Sequence, residues 1–242
     1  MSDDLREFLA KARQGGRGSA QTAKIIRLDE LERSEIEQAE QPWGLPALRG
    51  RLVELSARGA SGTLTTATSL VHEAQTEGEP VAWIVPWIPP DPNANGAAQA
   101  TSGTFYPPDA ADSGIDLSAL VVVRAPSVMA VGRAAERLLR SGAFGLVVMD
   151  FASANLEAPS ARMPDAVLGR LVSLAQAHDA AIVCLTEKPP DSGSLGSLVS
   201  LRAETSRART LDGFEITVRA VKDKRRGPGW SRAIKARGPS GL

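Results

Sequence analysis

The sequence predicts an α/β protein built on a mostly parallel sheet with helices on both faces. Three observations carry that prediction. Stretches of strand length and of helix length alternate from residue 51 to residue 185. Residues 50–66, Gly-Arg-Leu-Val-Glu-Leu-Ser-Ala-Arg-Gly-Ala-Ser-Gly-Thr-Leu-Thr-Thr, read as a strand entering a glycine-bearing turn and then a helix. Leu146-Val147-Val148-Met149 is apolar without alternation, as in a strand covered on both sides, and ends on Asp150. Strands separated by helices of this length imply right-handed crossovers and a parallel sheet.

In chain order, residues 3–13 have helical spacing at Leu5, Phe8, Leu9 and Ala12 before Gly15-Gly16-Arg17-Gly18-Ser19 breaks the pattern. Residues 20–40 read as a second helix or an unsettled arm, and Pro42 with Trp43-Gly44-Leu45-Pro46 marks entry to the core. Strands are then expected at 51–56, 80–85, 119–123, 144–149 and 180–185, with helices at about 63–77, 127–141 and 163–178. A Pro/Asn/Gly/Ala-rich loop falls at about 89–104. Further strands are expected at 197–203 and 213–222. The domain reading is an N-terminal helical arm over 1–41, a core over 42–224 and a basic C-terminal tail over 225–242.

Lys plus Arg and Asp plus Glu are both 28, so no global field draws the chain to nucleic acid and the distribution of charge matters instead. Residues 29–40 hold Asp29, Glu30, Glu32, Glu35, Glu37 and Glu40 against Arg33. The other end holds Arg219, Lys222, Lys224, Arg225, Arg226, Arg232, Lys235 and Arg237 against Asp223. Cys184 is the single cysteine, so no intramolecular disulfide forms. The N-terminus lacks the basic-then-apolar order of a secretory signal, and no apolar run approaches the ~20 residues that span a bilayer. A soluble, cytoplasmic protein without membrane partners is expected.

A working phosphate loop, G-x-x-x-x-G-K-[ST], uses glycines for tight backbone geometry, lysine for the phosphates and a hydroxyl for Mg²⁺. Here Ala57 stands at the first glycine, Gly62 keeps the second, Thr63 replaces the lysine and Leu64 replaces the hydroxyl. Asp150, at the end of an apolar strand, sits where such proteins hold Mg²⁺, and an aspartate there is equally a turn or helix-capping residue. His72 and His178 have no Cys/His cluster around them, so no metal site is expected.

The stretch 50–224 resembles RecA, the bacterial recombinase, with degenerate nucleotide motifs. The carriers are Gly50-Arg51-Leu52-Val53-Glu54-Leu55, then 134–143 leading into 144–150, and Val218-Arg219-Ala220-Val221-Lys222-Asp223-Lys224. The resemblance implies that Lys222 and Lys224 match lysines that reach the ATP of a neighbouring subunit. It also implies departures: Trp87 stands where the catalytic glutamate would be, Glu187 stands at the ATP-sensing glutamine, and the DNA-binding loops are represented by 152–162 and 188–196.

Within that superfamily the chain is most similar to the ImuA family, the RecA-related component of the SOS mutagenesis cassette. The implied function is a catalytically inactive adaptor in translesion synthesis, with RecA, an ImuB-type polymerase-like protein and DNA as candidate partners and no cofactor. The alternatives are a weak recombinase-type ATPase completed in trans, and a division inhibitor resembling SulA. The segment carrying Lys222, Lys224, Arg225, Arg226, Trp230, Arg232, Lys235 and Arg237 is the expected DNA or partner contact, with Trp230 stacking on a base; an acidic protein groove or a solvated tail are the other readings. Trp83 and Trp87 are read as packing residues or as bulk filling the space a nucleotide would take. The acidic arm is read as docking on a partner or packing on itself.

Overall fold

The computed structural model describes residues 41–57, 61–88, 101–102, 105–152, 163–189, 191–211 and 213–236. The expectations for helices at 3–13 and 20–40, for most of the loop at 89–104, for 153–162 and for Arg237 lie outside these residues.

Element order is α1 (Leu45–Leu48), β1 (Arg51–Ala57), α2 (Thr63–Thr76), β2 (Val81–Ile88), β3 (Thr101–Ser102), α3 (Pro107–Asp112), β4 (Leu120–Ala125), α4 (Val128–Arg140), β5 (Leu146–Asp150), α5 (Asp165–Ala177), β6 (Ala181–Glu187), β7 (Leu201–Thr210), β8 (Gly213–Asp223) and β9 (Ser231–Ala236). One sheet carries all nine strands: β2, β5, β6, β1, β7, β8 and β9 lie side by side in that order, and both β3 and β4 pair with β2. The pairings of β4, β2, β5, β6, β1 and β7 are parallel, whereas β8 and β9 return antiparallel. The α/β expectation is met: most expected strands shift by up to three residues, while the one expected at 197–203 runs instead over β7, 201–210.

Period-two alternation divides the strand side chains between two cores. Val53 and Leu55 of β1, Leu146 and Val148 of β5, and Val183 and Leu185 of β6 face α1 and α2, where Leu45, Leu48, Leu70 and Val71 meet them. Leu52, Val147, Met149, Ile182 and Cys184 face α4 and α5, meeting Val131, Leu139, Leu168 and Leu171. Burying both faces is what makes the central strands apolar throughout. Burial also pushes the Cys184 thiol far above its usual range, with Glu54 adding to the shift.

Pro86 sits inside β2, past the last pair with β5 at Ile84–Met149 and at the last pair with β4, opposite Ala125. α4 starts at Ser127, whose hydroxyl accepts from the Ala130 N–H, and ends with Arg137 and Arg140 in its last turn, favourable to the helix dipole.

A buried ion pair ties the start of β1 to the end of β8. Arg51, at the start of β1, donates to Asp223, at the end of β8, over 2.5 Å, and also to Ser200 Oγ and Ser200 O. The reading of residues 225–242 as a tail leaves out a strand: 231–236 form β9, hydrogen-bonded along β8 from Phe214–Ala236 to Arg219–Ser231.

Candidate functional site

The N-terminus of α2 lies at the carboxyl ends of the strands, where open α/β sheets bind ligands. A cleft of about 380 Å³ opens there, lined by Ala57, Ser61, Gly62, Thr63, Leu64, Thr65, Ala152, Leu185, Thr186, Glu187 and Arg207. The loop residues singled out in the sequence are thus brought to one place.

Gly62 caps α2 with φ 96°, a left-handed conformation natural to glycine. A Cβ added there would come within 3.0 Å of Ile216 Cδ1, so what abuts this glycine is a β8 side chain. Thr63, at the lysine position, is drawn into a chain of hydroxyls: its Oγ1 lies 2.8 Å from Ser61 Oγ and 2.8 Å from Thr205 Oγ1 on β7. Leu64 packs against the α2-side core. Asp150 is buried and accepts the Ala152 N–H over 3.1 Å, the geometry of an aspartate closing its own turn.

The aromatic residues take other places. Trp83 is fully buried in the α2-side core, its ring 5.1 Å from that of Phe105, while Trp87 is 39% exposed at the end of β2. Neither lines the cleft, so the expectation that they fill a nucleotide's space gives way to packing for Trp83. Arg207 is the residue that sequence reasoning missed. It sits on β7, its guanidinium 4.7 Å above the Phe214 ring, and only the folded sheet brings it to a loop far earlier in the chain.

A second polar group fixes the segment after β6. Glu54 is fully buried on β1 and faces Lys188 Nζ at 2.9 Å, the Thr186 hydroxyl at 3.0 Å and the Leu195 N–H at 2.8 Å. Arg202 donates to Ser56 Oγ, Ser192 O and Pro189 O. A buried carboxylate and a buried guanidinium, each satisfied by this segment, hold its two ends against the sheet.

The basic residues expected to act together separate. Trp230 donates its indole N–H to Asp223 over 3.0 Å and packs against the core, so its reading as a base-stacking residue gives way to a structural role. Asp223 also accepts the backbone N–H of Arg225 at 2.8 Å and of Arg226 at 3.3 Å. Burial alone would raise the Asp223 carboxyl; these hydrogen bonds and the Arg51 charge hold it below the usual carboxylate range. Lys224 donates to Ser197 O and Arg225 to Arg49 O. Lys222 lines a separate cleft of about 660 Å³ with Asp165, Ser194 and Ser197, and desolvation followed by the Lys224 charge lowers its pKa. Arg232 bonds Gln41, and Lys235 is exposed.

The arrangement defines a class by its scaffold: a parallel α/β sheet with a glycine-turn helix at the strand ends. No family model matches the sequence, and no curated protein matches it. Among solved structures the chain is similar to a KaiC-like protein of the hyperthermophilic archaeon Pyrococcus horikoshii, with 16% identity and a TM-score of 0.53 over 77% of this chain and 86% of that one. It is likewise similar to the RadB recombinase, with 16% identity and a TM-score of 0.54 over 78% and 88% of the two chains. The fold is therefore RecA-like, in agreement with the resemblance drawn from 50–55, 134–150 and 218–224. No helix among the described residues is long and apolar enough to cross a membrane.

Proposed function

We propose that this protein is a catalytically silent RecA-like adaptor in DNA-damage-induced translesion synthesis, most similar to ImuA, with RecA and an ImuB-type protein as partners. The observation that carries the silent part is Thr63. A threonine has no cation for the phosphates, and its hydroxyl is engaged by Ser61 and Thr205. Leu64 cannot ligate Mg²⁺, and Trp87 cannot act as a base toward water. Loss of the lysine alone removes a charge-assisted contact to phosphate.

The adaptor part rests on the resemblance and on a scaffold kept without its machinery. An enzyme reading requires Lys222 and Lys224 to complete a neighbour's site, and Lys224 is engaged within its own chain by Ser197 O. Affinity capture from DNA-damaged cells tests the proposal. Recovery of RecA and an ImuB-type protein supports it; recovery of the tubulin-like division protein alone replaces it with a SulA-like role.

A further inference from the structure

Beyond Thr205, β7 continues beside β8, with β9 along the other edge of β8. Every residue from Ser206 to Leu211 is exposed, Leu211 at 104%, while Ile216 in the Arg207 row is buried against Gly62. The register sets what each face carries. Arg207 pairs with Ile216 and Arg209 with Phe214, and those rows continue to Ile234 and Ala236; the next row toward the core adds Arg232, opposite Val218. One face therefore presents Arg207, Arg209 and Arg232, and no acidic residue of the three strands shares it at these rows. The acids lie opposite: Glu215 shares its row with Ala208 and Lys235, and Glu204 shares its row with Arg219 and Ser231. Glu187 lines the same cleft as Arg207.

We propose that this ribbon face binds the phosphate backbone of a nucleic acid through Arg207 and Arg209. Neither arginine is in an ion pair among the described residues. Alternation along a strand puts their Cα atoms about 6.7 Å apart, both pointing the same way. The Arg207 guanidinium lies over the Phe214 ring, 4.7 Å from its centroid, and a planar N–H fork of this kind matches phosphate geometry. An acidic protein partner fits less well, because protein interfaces bury an apolar centre and the one large exposed apolar side chain on the ribbon is Leu211 at its tip. The site does not depend on RecA or an ImuB-type partner.

The test is fluorescence anisotropy of the full chain with labelled oligothymidylate and a labelled duplex, titrated between about 50 and 200 mM salt, a range over which phosphate contacts are strongly salt-dependent. Arg207→Gln/Arg209→Gln removes both charges at exposed positions while keeping two of the three stem methylenes, and is expected to melt as the parent does. It should lose at least about tenfold in affinity at low salt, and the slope of log K against log salt should flatten by about 1.4 for the single strand or about 1.8 for the duplex. Lys235→Gln, on the opposite face, should leave the slope within about 0.4 of the parent. Absence of binding by the parent at low salt, an unchanged slope in the double variant, or binding of polyglutamate in place of nucleic acid would each overturn the assignment. Partner capture is measured separately, so failure here leaves the adaptor reading standing, and the reverse.

Discussion

Replacing Asp223 by Asn strips the counter-charge from a guanidinium that is 2% exposed. The carboxylate accepts from Arg51 at 2.5 Å, from the N–H groups of Arg225 and Arg226, and from Trp230 Nε1 at 3.0 Å. An amide keeps one acceptor oxygen, turns a donor toward one of these four donors and removes the charge. Breaking one side of a buried pair costs about 3–5 kcal/mol, because the surviving charge has no other place to go. For a chain of this size that is a fall in Tm of roughly 6–20 °C. Urea unfolding followed by tryptophan fluorescence reads it, and the Trp230 environment should become wetter before the main transition. Arg51→Met/Asp223→Leu, which removes both charges, should recover most of the loss. A cost below about 1 kcal/mol for Asp223→Asn would refute the reasoning, since it would mean that solvent already reaches the Arg51 guanidinium.

The same carboxyl gives a pH signature. Its folded-state pKa is held below the unfolded one, so its stabilisation is present above about pH 4 and drains away as pH falls through the folded value. The acid limb of a stability-against-pH curve should therefore flatten in Asp223→Asn. Gly62→Ala should cost about 1–3 kcal/mol, from a φ of 96° and a 3.0 Å approach to Ile216, and Ile216→Val should return part of it in a double-mutant cycle. Glu54→Gln should destabilise by about 1–3 kcal/mol and speed hydrogen exchange at the Leu195 amide, whose acceptor it alters.

Strands buried on both faces, such as 146–150 and 181–187, were legible because continuous apolar runs have few other uses. β9 was not, since Ser-Arg-Ala-Ile-Lys-Ala is an edge strand whose cations look like a solvated tail and whose alternation is weak. The outer half of β7 was missed for a related reason: with Ser206 through Thr210 exposed, no apolar face marks it as strand. The loop was read directly from Ala57, Gly62, Thr63 and Leu64, because that motif is local. Arg207, Ile216 and Thr205 reach the loop only through the β1–β7–β8 register, which no local pattern encodes. Trp230 looked available for stacking because Asp223, its partner, is what folds the 224–230 turn back onto the sheet.

The proposed silence of the site depends on whether the cleft between Thr63 and Arg207 takes a nucleotide. Isothermal titration of the full chain with Mg·ATP measures this directly. No saturable binding, with no release of phosphate on prolonged incubation, is the predicted result. One-to-one binding that disappears in Asp150→Ala would contradict it.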